Sequence, residues 1–243
     1  AKMTTLVACS LALIARSLPP QVCHDDGNAV RYFAFGSNLL ASKMNGRGDT
    51  GVLSREPASV LDHRLAFNMR MFPPLEPSMA SIEPCSGDVC EGCVYTLTRE
   101  GYEALWKSEG GAMDRPGYEE VVVKASLRGS ETVEAITLRS AAWMRLKVDA
   151  PPSVRYKGLI IDGAREVGLT QQYQARLAAL PTSSPSAAVA AIARAHGVVA
   201  VLLFRLGLRD VMWPWRAACY ALLRGKVAGS GGESVAGRRV GAR

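Results

Sequence analysis

Tyr32-Phe33-Ala34-Phe35-Gly36-Ser37-Asn38-Leu39 is a β-prone run that stops at a glycine and passes into residues able to start a helix. Residues 30–35 predict a buried strand, and Gly36 predicts a tight turn where backbone can approach a ligand closely. Residues 38–45 predict a short helix. At its start the amides of Ser37, Asn38 and Leu39 are expected to be free to donate, and such a helix end favours an anion. Read alone, the segment also fits an ordinary structural strand-to-helix turn.

A second stretch lies further along the chain, Leu105-Trp106-Lys107-Ser108-Glu109-Gly110-Gly111, followed by Pro116-Gly117-Tyr118. Thr98 caps a helix predicted over 98–109, with Leu97, Leu105 and Trp106 on its buried side, and Gly110-Gly111 ends it. A carboxylate in the last turn sits against the partial negative charge of the helix end. Glu109 is therefore a candidate general base; the alternative is a solvated Glu at a helix end. The third stretch is Pro151-Pro152-Ser153-Val154-Arg155-Tyr156-Lys157, then Gly163-Ala164-Arg165-Glu166-Val167-Gly168-Leu169. By itself it predicts two helices, 153–167 and 170–180.

Taken together in this order and spacing, the three stretches resemble the gamma-glutamylcyclotransferase family over about residues 32–180. That family carries a Tyr-Gly-Ser-Asn-Leu loop after its first strand and a Glu-Gly pair after a helix. A Tyr then enters a strand, and a Pro-Pro-Ser-x-x-Tyr segment and a Gly-Ala-x-Glu-x-Gly-Leu helix end follow. The resemblance implies an α+β fold, a mixed β-barrel with packed helices, here with a helical C-terminal extension. It implies intramolecular cyclisation of a γ-glutamyl amine or amino acid to 5-oxoproline with release of the amine, and neither cofactor nor metal. It makes Glu109 the catalytic residue. Phe35, Gly36, Ser37, Asn38, Leu39, Tyr118 and Tyr156 become the substrate-binding set. One position departs from the pattern: Phe35 stands where the family usually has Tyr, which keeps the ring and loses the hydroxyl.

The rest of the chain is read around that core. Residues 58–67 are an apolar-polar mixture consistent with a strand pair. Pro73, Pro74 and Pro77 predict an extended loop over 71–78. Residues 80–83 and 92–97 are expected to be two strands of a hairpin joined through Ser86-Gly87-Asp88. Residues 118–127 and 132–138 predict a second hairpin around Arg128-Gly129-Ser130. The expected division is an N-terminal extension over 1–29, the catalytic-type domain over 30–181, and a basic amphipathic extension and tail over 182–243.

Composition sets outer limits. The chain has 243 residues, 48% hydrophobic and 21% charged, enough for a core and against global disorder. Its formal net charge is +7. The excess gathers after residue 187, where Asp210 and Glu233 are the acids facing many Arg and Lys. Arg194, Arg205 and Arg216 recur every eleven residues, and Trp213 and Trp215 bracket Pro214, so 198–223 reads as a basic amphipathic helix broken at Pro214. Residues 6–15 are nearly all apolar. These ends favour a membrane surface or a membrane-protein complex as partner, through 187–243 and 4–15. They also favour an organellar location, plastid or mitochondrion, peripheral to a membrane, with a cytoplasmic location as the alternative. The first residue, Ala1, reads as a processed or trimmed terminus. A competing function is then a non-enzymatic structural or docking subunit built on this domain. No nucleic-acid partner is expected.

Three further signals carry less weight. Cys85, Cys90 and Cys93 have iron–sulfur-like spacing, with Cys219 as a fourth ligand, but a strand cysteine is usually a small buried hydrophobe. His24, His63 and His196 are scattered and form no catalytic pattern. Arg47-Gly48-Asp49 reads as a chance tripeptide.

Overall fold

The strand Ala29–Ala34 (β2) is buried along almost its whole length. It runs antiparallel to Glu76–Thr98 (β4) on one edge and meets Thr132–Ser140 (β6) in parallel on the other, at Tyr32 and Ile136. A strand covered this way reads as a continuous apolar run. The computed structural model describes residues 23–24, 28–72, 75–128 and 131–208. In it the order β2–β4–β3–β5–β6 closes back onto β2 as a five-stranded barrel, with β3 at Val52–Phe72 and β5 at Tyr118–Leu127. The short strand Cys23–His24 (β1) adds to the open end of β2.

The predicted strands around residues 58–97 need correction. Residues 58–67 are not a strand pair; they belong to the single 21-residue β3. The expected 80–83 and 92–97 hairpin is one continuous 23-residue strand, β4, antiparallel to β3. Ser86-Gly87-Asp88 is a bulge instead of a reversal. Leu61 pairs with Val89 and His63 with Pro84, so residues 85–88 oppose Asp62 alone. Asp62 and Gly87 both take left-handed backbone angles, and the Gly87 N–H donates to the Asp62 carboxylate at 2.8 Å. Turn-type residues thus re-aim the ribbon without ending it. The predicted loop 71–78 is largely strand as well, since Phe72 pairs with Glu76 where the chain reverses.

The outer half of this ribbon, beyond the bulge, arches over the end of the barrel. It is tied there by the Ser140 N–H donating to Ser81 Oγ at 2.9 Å and by the Arg70 N–H donating to the Met144 carbonyl at 3.0 Å. That arch places Met69, Met71, Met79 and Ala80 over the strand-to-helix turn after β2.

The helices follow their capping signals. Helix α1 (Ala41–Asn45) is short, and the 3-10 turn Ser37–Leu39 precedes it. Helix α2 (Arg99–Ser108) starts at Thr98, whose hydroxyl accepts from the Gly101 N–H at 3.0 Å. Helices α3 (Val154–Val167) and α4 (Gln171–Ala179) start at Ser153 and Thr170 in the same way. Each such cap is worth about 1 kcal/mol. The core contains Phe33, Leu39, Ile82, Tyr95, Leu97, Tyr102, Leu105, Ile136 and Ile160, all under 2% exposed. Burying one such side chain is worth about 1.5–3 kcal/mol, so the core outweighs the caps and the surface ion pairs in holding the barrel. Cys90 and Cys93 are part of this core, and no group of three or more metal-ligating side chains occurs among the described residues.

After α4 the chain returns to the start of α3, where the Ser183 N–H donates to the Pro152 carbonyl at 2.8 Å. Helix α5 (Ala187–Arg205) follows. It starts earlier than the predicted 198–223 helix, and Gly207, in a left-handed conformation, stands just beyond it, ahead of Pro214. No helix among the described residues is long and apolar enough to cross a membrane. The readings placed on 1–22 and on 209–243, Cys219, Trp213 and Trp215 included, lie outside the described residues.

Helix α3 packs directly on the 3-10 turn at Gly163, where a Cβ would lie 2.6 Å from Leu39 Cβ and from the Leu40 nitrogen. Gly163→Ala is expected to push helix and turn apart and cost about 1–3 kcal/mol. Urea denaturation checks it, and an unchanged midpoint would show that the turn is not clamped there.

Candidate active site

The turn after β2 is built in three steps. Gly36 has no side chain because one would press on Ala80 Cβ at 3.2 Å and on the Tyr156 hydroxyl at 3.3 Å. The Leu39 N–H closes onto the Gly36 carbonyl at 3.0 Å, which tightens Ser37–Leu39 into a 3-10 turn. The Asn38 N–H, ahead of any intrahelical acceptor, is left at its start, while Ser37 donates to the Tyr156 hydroxyl from both its backbone and its side chain. Leu39 therefore differs from the expectation. Its amide is engaged, its side chain is fully buried in the core, and it does not line the cavity. It anchors the turn.

Glu109 closes α2 in a Schellman arrangement. The Gly110 N–H donates to the Lys107 carbonyl at 3.1 Å and the Gly111 N–H to the Trp106 carbonyl at 2.8 Å. Gly110 has φ +86, and Gly111 lies against the Trp106 ring, where a Cβ would fall 2.0 Å from Cε2. These two glycines fix the direction in which the preceding Glu109 leaves the helix.

Turn and carboxylate meet directly. Asn38 Nδ2 donates to Glu109 Oε1 at 3.0 Å, across 71 positions of sequence. The same nitrogen donates to the Tyr32 hydroxyl at 3.2 Å, and Asn38 Oδ1 accepts from Arg47 Nε at 3.1 Å. Arg47 Nη2 lies 2.8 Å from the same Glu109 oxygen, and the Glu109 side chain is only 13% exposed. One carboxylate oxygen is thus anchored twice. The other, Oε2, has no hydrogen-bond partner among the described residues. Arg47 supplies the positive charge that a carboxylate at a helix C-terminus lacks.

A cavity of about 540 Å³ opens beside this cluster. Phe35, Gly36, Ser37, Asn38, Glu109, Tyr118 and Tyr156 all line it. Seven of the eight residues picked out from the sequence are therefore together. The Ala80 peptide braces two of them: its N–H donates to the Tyr156 hydroxyl at 3.2 Å, and its carbonyl accepts from the Tyr118 hydroxyl at 3.1 Å. Phe35 is buried and packs on Phe33 with ring centroids 6.3 Å apart, so the ring stays in the wall without a hydroxyl.

Burial sets the protonation of the phenols. It pushes Tyr156 up to about 12, opposed by hydrogen bonding to the Ala80 amide and reinforced by the Glu109 charge. Tyr95, whose hydroxyl donates to the Asn38 carbonyl at 3.0 Å, is also pushed up to about 12 by burial. Burial and the nearby Glu109 raise Tyr32, and burial with its neighbours Tyr156 and Glu109 raises Tyr118. All four are neutral hydroxyls at neutral pH, and Tyr32, Tyr118 and Tyr156 stand near the Glu109 carboxylate.

Sequence reading missed Arg47, Tyr32 and the methionines. In sequence Arg47 reads as part of a chance tripeptide, because its contact with Glu109 and Asn38 is one that no local pattern encodes. Met71 lies in what reads as a proline-rich loop over 71–78, and Met69 and Met79 flank it.

An AIG2-like family model matches residues 89–177. A gamma-glutamylcyclotransferase of Mus musculus is 32% identical over 158 residues, covering 64% of this chain and 80% of that protein. A gamma-glutamyl cyclotransferase of Aspergillus fumigatus is 30% identical over 210 residues, covering 76% of this chain and 74% of that protein. A solved structure titled gamma-glutamyl cyclotransferase superposes with a TM-score of 0.57 at 24% identity. It covers 68% of this chain and 98% of its own, a likeness of fold.

The buried phenols make stability depend on alkaline pH. An unfolded tyrosine ionises near 10, whereas folded Tyr95 and Tyr156 hold their protons to about 12. Their contribution is complete below pH 10 and is lost as pH rises from 10 to 12, because the unfolded chain gives up its protons first. The urea midpoint is expected to fall over that window, and to fall less in Tyr156→Phe. A midpoint flat from pH 9.5 to 11.5 would contradict the burial of these groups.

Proposed function

The chain belongs to the gamma-glutamylcyclotransferase family, and from that premise we propose that it cyclises γ-glutamyl amines or amino acids to 5-oxoproline with Glu109 as the base. The observation that carries this reading is the anchored carboxylate. Oε1 of Glu109 is held by Arg47 and Asn38, Oε2 is open to a proton, and the Ser37–Asn38 amides share the same cavity.

The chemistry follows from those positions. The Asn38 N–H, beside a Ser37 braced on the Tyr156 hydroxyl, takes the α-carboxylate of the glutamyl group or the developing oxyanion. With that end fixed, the α-nitrogen of the substrate is brought back onto its own γ-carbonyl carbon. Fixing one bent conformer removes much of the entropic barrier to an intramolecular attack. The substrate ammonium first gives one proton to solvent. The neutral α-amine then attacks, the new C–N bond forms with the γ-carbonyl oxygen carrying the charge, and Glu109 takes the second proton from the attacking nitrogen. As the old amide C–N bond breaks, Glu109 returns the proton to the departing nitrogen. The products are 5-oxoproline and the free amine. Neutral Tyr118 and Tyr156 shape the wall around the reacting atoms without adding charge.

Arg47 acts through Glu109. It holds the carboxylate in place through Oε1 and, with Asn38, directs Oε2 to the cavity. Phe35 keeps the packing surface of a tyrosine, and the ligand loses one hydrogen-bonding group there.

Purified protein given γ-glutamyl-alanine is expected to release 5-oxoproline, detectable by chromatography. Glu109→Gln keeps an oxygen able to accept from Arg47 and Asn38 but cannot take up a proton. It is expected to lower kcat by about 10²–10⁴-fold with KM little changed. Equal rates in the two proteins would remove Glu109 from its role.

A further inference from the structure

The cavity is larger than a glutamyl group needs, and its far wall has a chemistry of its own. Met69 and Met71 are two apart on β3 and share one face of the ribbon. Met79 on β4 pairs with Met69 and adds a third thioether to that face. All three line the cavity, together with Leu159 of α3. Met69 is buried, while Met71, Met79 and Leu159 are half-buried, so part of this apolar surface is available to a ligand.

Arg155, one turn before Leu159 on α3, lines the same cavity. Its Nε and Nη2 donate to Glu76 Oε1 at 2.8 and 2.6 Å, and Glu76 is itself held by Ser153 Oγ at 2.7 Å. The guanidinium is thereby oriented, with Nη1 uncommitted among the described residues. Three cations, Lys43, Arg47 and Arg155, face one carboxylate, Glu109, around the cavity. Arg47 is bound to Glu109 and Asn38.

We propose that the Met69, Met71, Met79 and Leu159 wall is the subsite for the leaving amine, with Arg155 receiving its carboxylate. The substrate class is then γ-glutamyl dipeptides whose second residue has a large apolar side chain, in preference to γ-glutamyl-glycine or decarboxylated amides. The inference rests on the cyclisation reading and adds its selectivity. Flexible thioethers adapt to different apolar shapes, so the wall selects for size and apolarity over exact form. Glycine leaves this surface uncovered. An amide without a carboxylate leaves Arg155 without its anion.

The test compares kcat/KM for γ-glutamyl-leucine, γ-glutamyl-glycine and γ-glutamyl-isoamylamide, the last being the leucine conjugate without its carboxylate. The leucine peptide is expected to exceed the glycine peptide by about tenfold or more. Met71→Ser with Met79→Ser is expected to reduce that ratio about tenfold. Arg155→Gln is expected to remove most of the preference for leucine over isoamylamide. A leucine-to-glycine ratio near one in the unmodified protein, or a ratio unmoved by the methionine changes, overturns the subsite while cyclisation stands. If no peptide yields 5-oxoproline, the cyclisation reading falls, and calorimetric binding decides the subsite. Tighter binding of the leucine peptide than the glycine peptide upholds it, and equal affinities overturn it.

Discussion

Both ends of the Asn38 side chain are used to hold the site together. Its nitrogen donates to Glu109 and Tyr32, its oxygen accepts from Arg47, and its own carbonyl receives the Tyr95 hydroxyl. The residue is 94% buried, so these bonds form where an unmet polar group would cost about 1–3 kcal/mol. Through them the turn after the first barrel strand and the end of helix α2 become one unit. Without that link, Glu109 would be a carboxylate at an unfavourable helix end, and the turn would be one of many strand-to-helix connections.

The barrel exists to bring these two segments together, and the long ribbon finishes the enclosure. Strand β2 delivers the turn because it is covered on both edges. Helix α2 delivers Glu109 because Thr98 starts it and the Gly110-Gly111 motif stops it in a fixed direction. The bulge at Asp62 and Gly87 bends the ribbon over the barrel end, so that Ala80 can brace Tyr118 and Tyr156. The ribbon therefore has two functions. One side completes the cavity wall, and its methionine face adds an apolar lining beside it.

Much of this was legible in the sequence where the controlling chemistry is local. The strand ending at Gly36, the caps at Thr98, Ser153 and Thr170, and the glycine stop after Glu109 are all written within a few residues of the features they specify. Strand β4 was not legible as one strand, because Ser86-Gly87-Asp88 has the composition of a reversal, and only its partner Asp62 makes it a bulge. The prolines near residue 75 hid the strand pairing that brings Met69 opposite Met79, since turn residues at a hairpin tip resemble a loop. Arg47 was invisible because its charge is matched by Glu109 some sixty positions away. Leu39 was placed in the binding set by its position in a motif, whereas the tightness of the 3-10 turn commits its amide and sends its side chain to the core.

The central claim is that the turn and the carboxylate are physically coupled, and a double-mutant cycle on Asn38 and Glu109 measures that coupling directly. Asn38→Ala, Glu109→Ala and the double variant are compared with the unmodified protein by urea denaturation. A charge-assisted, largely buried hydrogen bond predicts a coupling of about 1.5–3 kcal/mol. Strictly additive losses, with a coupling near zero, would mean that the two groups do not meet across the cavity.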